Sequence, residues 1–148
     1  MSDYGLRVLD SAECESALGS QQVGRVGLQV LDHPLVLPVV YALVDGDVVF
    51  RTAPGEKLIA AALQRSVAFE VDDYDVESKT GWSVNVVGTI EEIRDSSELD
   101  RVRALDLPCW AGELRDRYVR IRRIRRLLEA GWLDPDLRRI GARWRSSL

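Results

Sequence analysis

Histidine is almost missing from this chain: His33 stands alone among 148 residues. One imidazole removes most metal centres and every Ser-His-Asp arrangement that would not use it. It lies in Asp32-His33-Pro34, which reads as a surface turn. Cysteine is nearly as scarce, with Cys14 and Cys109 far apart and outside any Cys-x-x-Cys pair, so neither a disulfide framework nor a zinc site is indicated. No run approaches the roughly 18 apolar residues of a membrane span. The first residues, Met1 to Arg7, lack the apolar core of a signal peptide, and the expected location is the cytoplasm. Gly-x-x-x-x-Gly-Lys-Ser/Thr and Gly-x-Gly-x-x-Gly are both absent, which excludes the two common glycine-rich phosphate signatures. Internal repeats and low-complexity tracts are absent as well.

What is present is the composition of an ordinary globular domain, 46% hydrophobic and 30% charged. A single domain over residues 1–148 is expected, residues 125–148 adding a C-terminal tail with a short helix. Charge is distributed unevenly. Residues 1–113 carry 9 basic and 20 acidic side chains, net −11, whereas residues 114–148 carry 11 and 4, net +7. Arg115, Arg117, Arg120, Arg122, Arg123, Arg125 and Arg126 form a basic stripe. Such stripes can bind nucleic acid, but this one lacks interleaved aromatic residues and belongs to an acidic chain. Pairing with the acidic body of the same protein, or of a second subunit, is therefore the expectation.

The elements follow from pattern. Asp10-Ser11-Ala12-Glu13 opens a short helix in capping-box style, with Cys14 and Leu18 on its apolar face and Gly19 at its end. Gly24 to Leu31 alternates as a half-buried strand does. Val36 to Leu43 is a near-continuous apolar run suited to a strand buried on both faces, and Pro38 within it marks an edge, a bulge or an opening of the sheet. Asp45-Gly46 signals a hairpin leading into a strand over Asp47 to Thr52. Ser66 to Val71 reads as a strand and Asp72 to Lys79 as an exposed loop. Gly81 to Ile93 is a long strand, with Trp82, Val84 and Val86 on one face and Ser83, Asn85 and Val87 on the other. Asp95-Ser96-Ser97-Glu98 caps a second helix. Tyr118 to Arg122 alternates again, and Asp134-Pro135 opens a terminal helix with Leu137, Ile140 and Trp144 at helical spacing. Six strands with short connections favour a mainly β, α+β protein whose antiparallel sheet curls into a small barrel.

One stretch suggests chemistry. Phe50-Arg51-Thr52-Ala53-Pro54-Gly55-Glu56-Lys57 reads as the end of a strand, a tight turn and the start of a helix through Leu58, Ile59 and Leu63. A helix N-terminus offers backbone N–H groups and a favourable dipole to an anion. Arg51, Thr52 and Lys57 add two cations and a hydroxyl, the outline of a phosphate site. The same residues also suit a solvated strand-to-helix turn.

Five pieces, in this order, resemble the flavin-binding split barrels related to pyridoxamine 5'-phosphate oxidase, in particular their short bacterial subgroup. They are Val23-Gly24-Arg25-Val26, Leu37-Pro38-Val39-Val40-Tyr41, Val49 to Leu58, Val67 to Asp72, and Gly81-Trp82-Ser83-Val84 with Val87-Gly88. Together they span roughly residues 9–122. The resemblance implies a six-stranded antiparallel split β-barrel that forms a homodimer and binds FMN in clefts at the subunit interface. By that likeness Arg51, Thr52 and Lys57 hold the FMN phosphate, Pro38, Val39 and Tyr41 belong to the strand beside the isoalloxazine ring, and Trp82 and Ser83 lie near the flavin on the long strand. Two features depart from the subgroup: Val40 stands where asparagine is frequent, and the chain runs past Arg122 into an additional tail. Both bear on the substrate pocket more than on the fold.

An FMN-dependent oxidoreductase is the function implied. Flavin supplies the electron transfer itself, so such a protein needs no catalytic histidine and no catalytic residue is assigned. No second basic cluster is assignable to a substrate phosphate, which argues against pyridoxamine phosphate as substrate. The alternative is a protein that holds FMN, the deazaflavin F420 or haem without turnover, or serves as a sensor. The arginine stripe would suit the acidic tail of F420, and His33 is the one histidine open to haem.

Overall fold

The computed structural model describes residues 7–52, 63–108, 117–123 and 139–145. In chain order the elements are β1 (Arg7–Val8), α1 (Ser11–Gly19), β2 (Val23–Val30), β3 (His33–Val44), β4 (Asp47–Thr52), β5 (Ser66–Asp75), β6 (Thr80–Glu92), α2 (Ser96–Arg103), β7 (Arg117–Arg123) and β8 (Arg139–Arg145). The strands run in the order β1-β8-β6-β5-β2-β3-β4-β7, and β7 also pairs with β6. That last ladder closes β6, β5, β2, β3, β4 and β7 into a six-stranded antiparallel barrel. Closure removes most of the unpaired strand edges an open sheet would expose.

Alternation fills the barrel. Val26, Phe50, Phe69, Val84, Ile90 and Ile121 are all at most 1% exposed and point inward. Gly88 makes the closure possible. It sits where β6 passes from β8, paired over Thr80–Val86, to β7, paired over Gly88–Glu92. A Cβ there would stand 2.4 Å from the Arg122 carbonyl oxygen and 2.7 Å from Ile121 Cγ2. Only glycine lets the two backbones come this close.

The caps are where the sequence puts them. Asp10 accepts from the Glu13 N–H at 2.8 Å while Glu13 accepts from the Asp10 N–H at 2.9 Å. Asp95 accepts from the Glu98 N–H at 3.1 Å. The Tyr41 hydroxyl donates to the Leu18 carbonyl and pins the end of α1 to the barrel. Of the basic stripe, Arg117, Arg120 and Arg122 are described with their partners, and all three pair with the acidic body. Arg120 donates to both carboxylate oxygens of Glu98 at 2.8 and 3.1 Å and to Glu91, and Arg122 and Arg117 pair with Glu91 and Glu92.

Four expectations are corrected. The turn between β2 and β3 is Leu31-Asp32, so His33 and Pro34 already belong to the strand; pairing of Val30 with His33 fixes that register. β3 is not buried on both faces, because Pro34, Val36 and Pro38 are exposed. The strand covered on both sides is β4, whose outer face meets α2 through Val49 and Val102. Asp72 to Asp75 is strand, since ladder pairing with Thr80–Ser83 outweighs its polarity, and only residues 76–79 turn. Arg139–Arg145 is a strand on β6, with Ile140 opposite Asn85 and Trp144 opposite Gly81. A spacing of four fits both periods, and here the ladder decides.

Candidate functional site at the split between β3 and β4

The hydrogen-bond phase of β3 defines the site. The Tyr41 N–H donates to the Gln22 carbonyl at 3.1 Å. In an antiparallel ladder such residues alternate, so His33, Leu35, Leu37, Val39 and Tyr41 turn their backbone groups toward β2. Pro34, Val36, Pro38 and Val40 turn theirs the other way. On that side β4 pairs only with Tyr41–Val44. Past Phe50 the two strands part, β4 following β7 through Thr52 opposite Arg117. Among the described residues no strand covers the edge from His33 to Val40. The proline read as a mark of an edge stands at one.

Arg51 and Thr52 lie where the strands part. Thr52 is 5% exposed, a polar side chain among core residues. The Arg51 guanidinium lies over the Tyr118 ring, 5.5 Å from its centroid, and Nη1 donates to the Leu107 carbonyl at 3.0 Å. The loop after α2 and the ring of Tyr118 thus hold a rigid planar cation at the mouth of the split. Lys57, with Pro54, Gly55 and the helix expected through Leu58 and Ile59, lies outside the described residues.

The other residues named from sequence are divided. Pro38 is exposed on the outer face, beside the split. Val39 packs against the core from β3, and Tyr41 is 5% exposed, its hydroxyl engaged with Leu18. Burial pushes the Tyr41 phenol up to about 12, so it is neutral at any physiological pH. Trp82 packs against the core from β6. Ser83 faces outward, opposite Asp72 of β5. From β6 to β3 the barrel order passes through β5 and β2. Three strand spacings come to about 14 Å, so within one chain Ser83 does not adjoin the β3 edge.

One group was not singled out from sequence. Arg25 of β2 lies 3.5 Å from both Glu70 and Asp72 of β5. The alternation of Val67 to Asp72 puts both carboxylates on one face, but only the β2–β5 register brings Arg25 to them. Burial first, then the hydrogen bond and charge of Asp72, push Glu70 up to about 7 against the opposing pull of Arg25. Among the described residues no cluster of three His, Cys, Asp or Glu side chains could hold a metal ion, and no helix is long and apolar enough to cross a membrane.

A small antiparallel barrel split along one strand edge, with an arginine and a buried threonine at the mouth, defines the class as a split-barrel protein. The chain belongs to the pyridoxamine 5'-phosphate oxidase family, whose pattern it matches over residues 10–128. It is 35% identical to the uncharacterized protein Rv0080 of Mycobacterium tuberculosis over 118 residues, 76% of this chain and 77% of that protein. Its structure is similar to that of an FAD-binding protein from Mycobacterium smegmatis, with a TM-score of 0.71 and 30% identity, over 93% of this chain and 98% of the other. The same fold recurs in an FAD- and haem-binding protein of M. smegmatis, with a TM-score of 0.65 and 16% identity, over 97% of this chain and 74% of that one.

Proposed function

We propose that this chain binds FMN at the split between β3 and β4 and acts as a flavin-dependent oxidoreductase, the cofactor cleft being shared by two copies of the chain. The observation that carries this reading is the open edge of β3 beside Arg51 and Thr52. A flavin ring asks for an apolar wall with a few backbone donors and acceptors, and the edge offers the Val36 and Val40 N–H groups with the carbonyls of Pro34, Val36 and Pro38. A phosphate asks for charge-assisted hydrogen bonds, which Arg51, Thr52 and Lys57 would supply. FMN carries this phosphate at the end of a short chain, so ring and anion would be held by adjacent parts of the split.

The separation of Ser83 and Trp82 from β3 supports the shared cleft, because a second copy would bring its β6 to a ring bound at the first copy's β3. Flavin supplies the redox chemistry when bound, and the residues of this chain bind and orient it. Haem is the less supported alternative, since His33 sits at the hairpin end of β3, away from the split.

The test is titration of the purified chain with FMN, F420 and haem, following absorbance and flavin fluorescence, with Arg51→Ala and Lys57→Ala beside the parent. FMN binding weakened more than tenfold, about 1.4 kcal/mol, by either substitution in a variant that still unfolds cooperatively is the expected result. Preference for haem or F420, or FMN affinity indifferent to both substitutions, would overturn it.

A further inference from the structure

The Arg51 guanidinium rests on groups that the fold itself supplies. Arg51 faces out of the barrel between the buried Phe50 and Thr52, directly opposite Tyr118 in the β4–β7 ladder, and Val49 stands opposite Arg120. Directly opposed residues of an antiparallel pair share a face, so β7 presents Tyr118 and Arg120 on the side that carries α2. Arg120 holds α2 through both carboxylate oxygens of Glu98. Tyr118 lies under Arg51, its ring centroid 5.5 Å from the guanidinium carbon, inside the range of about 6 Å over which a ring face attracts a cation.

The support is rigid. Tyr118 is 4% exposed and Leu107 6%, and both pack with Val49, Ile93 and Val102 in a second core between α2 and β4. The chain enters that core through a turn at the end of α2. There the N–H groups of Leu105 and Asp106 donate to the carbonyls of Val102 and Arg103 at 3.2 and 3.1 Å. Asp106 takes a left-handed φ of 49°, which an aspartate tolerates better than most residues. The reversal sends the Leu107 side chain into the core while its carbonyl accepts from Arg51 Nη1 at 3.0 Å. A ring on one element and a carbonyl on another therefore fix both the place and the direction of the guanidinium.

Arginine donates within its own plane, whereas a ring attracts it through the cation's charge, so the aromatic contact consumes no N–H group. A long flexible side chain gives up rotamer freedom when it clamps an anion, and here folding has already removed that freedom. The gain falls on the part of a ligand that the guanidinium meets. For a flavin held as described above, that part is the phosphate and not the ring.

We infer that Tyr118, together with the Leu107 carbonyl, is the positioning device that aims Arg51 at the ligand's phosphate, and that it makes the site select a phosphorylated flavin over riboflavin. Tyr118 is too deeply buried to meet the ligand itself and acts through Arg51. This inference rests on the preceding reading of the split as a flavin site and assigns the residue that sets its preference.

Titration of the full chain with FMN and with riboflavin, which lacks the phosphate, tests it in the parent, Tyr118→Phe and Tyr118→Met. Phenylalanine keeps the ring face, and methionine fills the space without one. The parent and Tyr118→Phe should prefer FMN to the same degree. Tyr118→Met should lose about tenfold of that preference while its riboflavin affinity stays within about twofold of the parent's. Riboflavin is the reference because a merely loosened barrel would weaken both ligands alike. A second measurement needs no variant: in the NMR spectrum of the flavin-free parent, the Arg51 side-chain protons should be shifted upfield by the Tyr118 ring, and the shift should persist when FMN is added. With FMN bound by the parent, this inference alone is overturned by equal affinity for the two flavins, by an undiminished FMN preference in Tyr118→Met, by a proportionate loss of both ligands there, or by unshifted Arg51 resonances. A parent that binds neither flavin would overturn the preceding reading and this one with it.

Discussion

Replacing Gly88 by alanine probes the closure of the barrel at its tightest point. The added methyl would lie 2.4 Å from the Arg122 carbonyl oxygen and 2.9 Å from its carbonyl carbon. Both are backbone atoms, so no rotamer change relieves the contact. Restoring an ordinary distance requires β6 and β7 to separate locally by about 1 Å, the shortfall from ordinary van der Waals contact. That movement strains the ladder at Gly88–Arg123 and Ile90–Ile121 and loosens Ile121, which is fully buried. Overpacking costs about 1–3 kcal/mol, and one or two weakened ladder hydrogen bonds add about 1 kcal/mol each. The lower backbone entropy of unfolded alanine returns about 0.4–1 kcal/mol. The expected loss is about 3 kcal/mol, a large part of the roughly 5–15 kcal/mol that holds a domain together, or a fall in Tm of about 6–12 °C. Urea unfolding followed by tryptophan fluorescence would measure it, with Gly19→Ala as the control. Nothing lies within 4 Å of a Cβ at Gly19, the last residue of α1, so that change should be neutral or slightly stabilising. If the two variants unfolded within about 1 kcal/mol of each other, this account of barrel closure would be wrong.

Two further outcomes follow from the charge networks. Arg120 joins β7 to Glu91 of β6 and Glu98 of α2, so Arg120→Ala should release α2 and lower stability by about 1–2 kcal/mol, allowing for solvent screening; urea midpoints unchanged in the variant would show that the cluster contributes nothing. Glu70 titrates at about 7 in the fold against an ordinary value of 4.5. A group with a raised pKa gives its full stabilisation below the unfolded value and loses it as pH rises through the folded one. The parent should therefore lose stability relative to Glu70→Gln between about pH 4.5 and 7, by about 1–2 kcal/mol after screening. Parallel pH–stability curves for the two, recorded at concentrations too low for association, would refute this.

Much of the fold was legible because local rules and tertiary context agree. Asp45-Gly46 forms its turn with both residues at positive φ, 51° and 82°, as a two-residue hairpin demands. The capping box at Asp10 and the alternation of Trp82, Val84 and Val86 likewise needed no partner to be read. The apolar run of β3 misleads for a physical reason. Hydrophobicity tells that a face will be covered somewhere, not by what, and among the described residues much of β3 is still open. Ile140 and Trp144 mislead because a step of four serves a helix and a strand equally. At the candidate site, sequence located Arg51 and Thr52 at the end of a strand. It could not show that Arg51 would rest on Tyr118 and bond Leu107, since both contacts depend on where β7 and the loop after α2 are brought by the fold. Arg25 escaped notice for the same reason, its carboxylate partners lying 45 and 47 positions away.

The two prolines of the open β3 edge have a consequence for what can come near it. Another strand adding to a sheet needs alternating donors and acceptors along the whole rim. Here every outward N–H position from 34 to 40 is filled in turn by Pro34, Val36, Pro38 and Val40, so half of the donors do not exist. What survives is a rail of carbonyl oxygens about 7 Å apart, with donors only at Val36 and Val40. A polypeptide would find every second rung missing, and the fibre-like stacking to which bare strand edges are prone is blocked at the same stroke. A compact heterocycle spanning a single repeat has no such difficulty. Among the described residues the rim is therefore closed to its own kind of polymer, while its carbonyl oxygens stay within reach of a small flat group.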